Sequence, residues 1–314
     1  MIVSKKTIVL GSRGSMLALW QTNYVKALLE ATVPDFEYRV EIVHTKGDKI
    51  LDVALSKFGD KGLFTKELEK GLLDGSLDLC VHSMKDMPTV LPEGLAILGV
   101  PERACPNDVL VSLKKGMTLE ALPANSRVAT GSLRRVAQLR RLRSDVEACE
   151  IRGNVDSRIT RVESGEFDAA ILAAAGIERL GFGERIASII PVDTMVPAVG
   201  QGAIAIEGRA GDPVSSMLCE AVSDAKTMRA VTAERVVLRA LEGGCQVPMG
   251  VHAVEVGNGS NAVFSMNAFV SSLDGARFLH AHAEGTPLET EAIARIVSDN
   301  LRVQGAAAIL EELR

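Results

Sequence analysis

SRVATGSLRRVAQLRRLRSDVEACEIRGNVDSRITRVESGEFDAAILAAA, residues 126–175, decides the fold class. It reads as strand (SRVATG), helix (SLRRVAQLRRLRS), strand (VEACEI), helix (DSRITRVES) and strand (DAAILAAA). Strands that alternate with helices imply an α/β fold with largely parallel sheets. Upstream, TIVL (7–10), VEIVHT (40–45) and LDLCVHS (77–83) read as strands. Helices are expected at MLALWQTNYVKALLEA, capped by Ser15, and at LFTKELEKGLLDG. Lys46 to Gly62 is polar and contains glycine, the signature of a loop or a mobile segment. Downstream of about residue 215 the pattern changes. A helix over KTMRAVTAERVVLRALEGG precedes three alternating stretches, VPMGVHAVEV, AVFSMNAFVSS and RFLHAHAEG, separated by NGS and DGA turns. With a final helix from about 288 to the end, this is a small α+β domain.

The 314 residues suit two domains of about 150 residues with room for a small third. An apolar fraction of 47% excludes general disorder. The longest apolar run, Ala169 to Ala175, is far below the roughly 18 residues of a membrane span. The N-terminal stretch lacks the apolar core of a signal peptide, so a cytoplasmic protein without membrane attachment is expected. Five cysteines at 80, 105, 149, 219 and 245 form neither a CxxC nor a zinc pattern, and no metal site is expected. The net charge is −5, yet Arg127 to Arg161 holds nine arginines, no lysine and four acids. That segment has no aromatic residue for base stacking, which argues against nucleic acid as the partner.

Polar residues gather after four strands: GSRGS, HSMKD, TGSLRR and RGN. Strand ends in open α/β sheets are where ligands bind, and helix N-termini favour anions. Arg13, Lys85, Arg134, Arg135, Arg152 and Arg158 therefore suit a ligand with several carboxylates or phosphates. Arg140, Arg141 and Arg143 read instead as a solvated helix face. Asp86, beside Lys85, reads either as a general acid/base or cation stabiliser, or as a turn cap or ion-pair partner. Cys245 follows Gly243-Gly244 and reads either as an accessible thiol or as a small buried filler. The pattern at Gly200-Gln201-Gly202 matches a dinucleotide loop, but IAIEG after it reads as a strand, so that reading is set aside. His82 is expected to point into a polar interior, and His280 and His282 to share a strand face without a third ligand.

Nine motifs in order are more specific than any of these features. They are SRGSMLALWQ, KGDKILD, KGLFTKELE, VHSMKDMPT, GSLRR, RGNVDSR, LAAAGIERLG, PAVGQGAIAIE and LEGGCQVP. The chain resembles the porphobilinogen deaminase (hydroxymethylbilane synthase) family of heme and tetrapyrrole biosynthesis nearly end to end. The resemblance implies two α/β lobes like type II periplasmic binding proteins, with a cleft between them, plus a small C-terminal α+β domain. The expected boundaries are 1–100 plus about 197–217 for the first lobe, 101–196 for the second, and 218–314 for the third domain. The implied activity is a transferase that joins four porphobilinogen molecules head to tail with loss of ammonia. It builds on a covalent dipyrromethane cofactor and releases hydroxymethylbilane by hydrolysis.

The family's roles fall on matching residues here. Cys245 matches the thioether attachment point and Asp86 the catalytic carboxylate, which also touches the cofactor. Lys85, Ser132, Arg134 and Arg135 match cofactor-binding positions. Arg13, Ser15, Arg152, Arg158, Arg179 and Gln201 match substrate-binding positions. Lys57, Lys61 and Phe64 fall in the family's mobile loop. A monomer is expected, with porphobilinogen as its partner. Gly131 stands where many relatives have Ser or Thr. The alternatives are a two-lobed anion-binding protein without turnover, which leaves LEGGCQVP unexplained, and a thiol hydrolase, for which no histidine partner of Cys245 is evident.

Overall fold

Alternating apolar residues in Thr7–Ser12 (β1) send Ile8 and Leu10 to one face of a sheet and Val9 to the other. Both faces are covered by helices, which is why β1 reads as a continuous apolar run. In this computed structural model residues 6–45, 65–241 and 247–313 are described. They form two compact units, one from residues 1–103 and 203–228 and the other from 104–202 and 229–314.

The first unit contains a five-stranded sheet. β1 runs parallel to Glu37–Ile42 (β2) and to Leu79–Ser83 (β3). The fourth strand in the sheet is Ile204–Arg209 (β10), antiparallel to β3 and to Leu95–Gly99 (β4). Helix α1 (Met16–Thr32) starts where the Ser15 hydroxyl accepts from the Ala18 N–H at 3.3 Å, as expected from the sequence. It buries Val25 and Leu29 against Ile8, Leu10, Leu79 and Ile206. On the opposite face, α2 (Lys66–Asp74) packs Leu68 and Leu72 against Leu77, Cys80 and Leu95. Gly75, at φ 81°, ends that helix in the left-handed conformation.

The second unit repeats the topology. Arg127–Ala129 (β6) runs parallel to Glu147–Cys149 (β7) and Ala169–Ala173 (β8). Asp108–Val111 (β5) lies antiparallel to β8 and to Ile186–Ile190 (β9). Helices α3 (Leu133–Leu142), α4 (Val155–Glu163) and α5 (Ala174–Arg179) follow β6, β7 and β8. The strand order, 2-1-3 followed by a reversed strand and an outer strand, is shared by the two units. The sheets are largely parallel, as expected, with one reversed strand in each.

The same unit carries an antiparallel sheet of Met249–Val256 (β11), Val263–Ser271 (β12) and Phe278–Gly285 (β13). Helices α6 (Pro213–Ala221) and α7 (Ala225–Ala240) precede it in the chain. Val237 of α7 packs on this sheet with Val297 and Leu301 of α8 (Thr290–Val303) and Ile309 of α9 (Ala306–Glu311). The single final helix read from the sequence is two helices, because Gly305 adopts φ 101° between them.

Candidate active site

In the first unit, chemistry gathers at the C-terminal ends of β1 and β3. β3 passes into a single 3-10 turn, Met84–Asp86. Met84 is buried and anchors the turn, while Lys85 is half-buried and Asp86 exposed. Asp86 makes no hydrogen bond or ion pair among the described residues, so the turn-cap reading is not what the structure shows. The Met84 N–H donates to the Ala203 carbonyl at 3.0 Å, joining the turn to the entry of β10. The Ser83 hydroxyl accepts from Gln21 Nε2 of α1 at 2.9 Å. At the end of β1, Thr22 Oγ1 donates to Ser12 Oγ (2.9 Å), and Ser12 Oγ donates to the Arg13 carbonyl (3.0 Å). Arg13 and Ser15 are half-buried at the start of α1.

In the second unit, Arg134 and Arg135 converge on Asp108, the first residue of β5. Arg134 donates from Nη1 to Asp108 Oδ2 (2.7 Å), and Arg135 from Nη2 to Oδ1 (2.7 Å). Gln201 Nε2 donates to Oδ1 as well, at 2.9 Å, and to the Pro106 carbonyl at 2.7 Å. All four side chains are buried. Burial raises the pKa of Asp108, but the two guanidiniums outweigh it and hold the carboxyl well below its usual range. Two cations face one carboxylate, at the first turn of α3, where the helix dipole is already positive. The buried Nε of Arg134 finds no hydrogen-bond partner among the described residues. This hub has a surplus of positive charge and donors, which suits an anionic ligand.

Other candidates have local partners. Arg152 pairs with Glu150 at 2.8 Å on the surface, an ion pair weak enough to be exchanged for a ligand carboxylate. Arg158 Nε donates to the Gly153 carbonyl at 2.8 Å, and Arg179 Nη2 to the Gly202 carbonyl at 2.7 Å. Ser132 lies at the start of α3 without a side-chain capping bond. A Cβ on Gly131 would come 2.8 Å from the Ile151 carbonyl, so a serine there requires the β7–α4 connection to move. Lys57, Lys61, Phe64 and Cys245 lie outside the described residues.

Of the three arginines read as a solvated face, Arg140 and Arg141 are exposed and Arg143 half-buried, and all three also act as latches. Arg140 donates to the Leu273 carbonyl at 2.8 Å, and Arg141 stacks on Phe278 at 3.7 Å. Arg143 holds the carbonyls of Leu119, Glu120 and Leu122. Sequence reading missed Asp108, Gln21 and Ser83. Asp108 opens an apolar strand, and an acid facing a buried strand is the signal that points to a buried cation. Among the described residues no His/Cys/Asp/Glu cluster fits a metal ion.

A family model described as "Porphobilinogen deaminase, dipyromethane cofactor binding domain" matches residues 8–216, and one described as "Porphobilinogen deaminase, C-terminal domain" matches 228–302. The porphobilinogen deaminase of Moorella thermoacetica is 48% identical over 307 residues, covering 98% of this chain and 96% of that protein. That of Carboxydothermus hydrogenoformans is 45% identical, covering 99% of this chain and 98% of its own length. Among solved structures, the periplasmic VFT2 domain of Bordetella pertussis BvgS is similar with a TM-score of 0.42 and 15% identity, covering 73% of this chain and 92% of that one.

Proposed function

The chain belongs to the porphobilinogen deaminase family, and from that premise we propose how its residues divide the work. It is a transferase of tetrapyrrole biosynthesis, and its cofactor is dipyrromethane. It condenses four porphobilinogen molecules head to tail, releases ammonia at each addition, and frees hydroxymethylbilane by hydrolysis.

The donors present suit that cofactor, since each of its pyrroles carries carboxylates and the Asp108 hub has cationic charge to spare. When bound, the group supplies the pyrrole carbon from which a chain begins. We assign its attachment to Cys245 and its carboxylates to Lys85, Ser132, Arg134 and Arg135. The buried thiols are poor alternatives, because burial pushes Cys219 up to about 12 and raises Cys80 further from ionisation.

Asp86 is assigned the chemistry. As the aminomethyl C–N bond of porphobilinogen breaks, positive charge develops on the pyrrole, and an exposed carboxylate beside it stabilises that charge. The same oxygen then accepts the proton released when the new C–C bond forms. Arg13, Ser15, Arg152, Arg158, Arg179 and Gln201 are assigned to the acetate and propionate groups of the growing chain. The domain boundaries are proposed as 1–100 with about 197–217, 101–196 and 218–314. A monomer acting in the cytoplasm completes the proposal; no helix among the described residues is long and apolar enough to cross a membrane.

The observation that carries these assignments is the excess of two guanidiniums over one carboxylate at Asp108. The test is the intact mass of the denatured protein beside Cys245→Ala. A covalent excess of two linked pyrroles, lost in the variant, is expected, with further increments on adding porphobilinogen. An unmodified wild-type chain after that addition refutes the attachment.

A further inference from the structure

A second buried polar cluster lies in the first unit and contains none of the residues assigned above. Glu207 of β10 is fully buried, and its Oε2 lies 3.0 Å from Nε2 of His82, itself buried on β3. The two residues are diagonal neighbours on one face of the sheet, since His82 pairs with Ala205 and Cys80 with Glu207. Glu69 of α2 is buried over the same face. Glu69 Oε1 and Glu207 Oε1 both lack a hydrogen-bond partner among the described residues. Two buried carboxylates with orphaned oxygens repel each other unless one holds a proton. A proton turns an orphaned carboxylate acceptor into a donor.

We propose that Glu69 retains a buried proton over the His82–Glu207 pair and that this locks the strand end carrying Asp86, making Glu69 and His82 positioning residues for that carboxylate; the link to catalysis rests on the role assigned to Asp86. The end of β3 is gripped from both faces. His82 is tied to Glu207 on one side, and Ser83 is tied to Gln21 of α1 on the other. The turn with Lys85 and Asp86 begins at the next residue. Burial raises the pKa of Glu69 and Glu207 adds to the rise, while Thr65, His82 and Lys66 oppose it. Cys80 and Arg209 complete the titratable groups facing the cluster from β3 and β10, and β1 and β4 contribute none. Loss of the proton puts two carboxylates under α2 and loosens the grip on β3.

The experiment titrates the full-length protein labelled with carbon-13 at the glutamate carboxyls, with Glu69→Gln to assign the resonance. Glu69 is expected to titrate far enough above an ordinary glutamate to hold its proton at neutral pH. The alkaline limb of turnover should follow the same midpoint. In Glu69→Gln that limb should move upward by about one unit or more, with KM for porphobilinogen unchanged and the covalent dipyrromethane still seen by mass. An ordinary midpoint for Glu69, or an alkaline limb that coincides in both proteins, overturns the proposal. Should the variant fail to fold, the wild-type resonance, assigned through its backbone, still decides. Turnover surviving in Asp86→Asn, with Glu69 titrating high, would instead place the failure in the role of Asp86.

Discussion

Asp108 has more positive charge around it than it can neutralise. Removing its charge in Asp108→Asn leaves two buried guanidiniums without a counterion, so we expect a loss of about 3–5 kcal/mol in urea unfolding. The pH dependence has a definite sign. The folded pKa is depressed, so the stabilisation is complete above the ordinary carboxylate value of 3.8 and fades as pH falls below it. The wild-type and variant midpoints should therefore converge in acid; a constant gap would refute the ion pair. Arginine position makes a second prediction. Arg152→Leu should strand the protein at short covalent intermediates in intact-mass spectra. Arg141→Leu should leave the intermediates unchanged and cost about 0.5–2 kcal/mol of stability, through its loss from the Phe278 ring. Similar intermediates in both would remove the distinction between strand-end arginines and helix-face ones. Arg134 and Arg135 were legible as a pair at a strand end, whereas their partner was not. Asp108 comes 26 residues earlier in the chain, and no local spacing joins them.

Secondary elements meet at a few shared polar anchors. Glu234 on α7 is one, accepting from the Gly200 N–H at 2.6 Å and the Ala253 N–H at 2.8 Å. It thereby fixes a helix, the turn that carries Gln201, and β11 to one another. Glu234→Gln keeps the shape but weakens two charge-assisted bonds, so a loss of about 1.5–3 kcal/mol in thermal unfolding is expected, with no effect on the Asp108 acid transition. An unchanged unfolding temperature would show that the anchor is dispensable. Helices α1, α2, α3, α4 and α7 and strands β1, β3, β6 and β8 were legible from periodicity, because each buries an apolar face of its own; α5, α6, β4, β5 and β9 were not read. The breaks were harder to see. Ala169 to Ala175 is one apolar run, yet the strand ends at Ala173 and α5 starts at Ala174. Alanine suits either state, and the sheet edge alone decides between them.

At the scale of the whole chain, β10 is the element that local pattern could place least. IAIEGR reads as a strand, but its partners β3 and β4 lie more than a hundred residues earlier. The family resemblance, not periodicity, pointed to the return of the chain near residue 197. A fragment of residues 1–103 lacks that strand and should be insoluble or expanded by size-exclusion chromatography. Linking residues 203–228 to it should restore a compact, cooperatively unfolding unit; equal behaviour of the two fragments would refute the dependence. The topology also imposes an order on biosynthesis. Among the described residues β4 pairs only with β10, so it has no place in the sheet until β10 has been made. About 110 residues separate the ends of these strands, roughly 6–20 s of translation at about 5–20 residues per second. Throughout that interval the nascent chain presents the open edge of β3, the strand that leads to Asp86, and it is then that the protein most needs a chaperone to shield an unpaired strand.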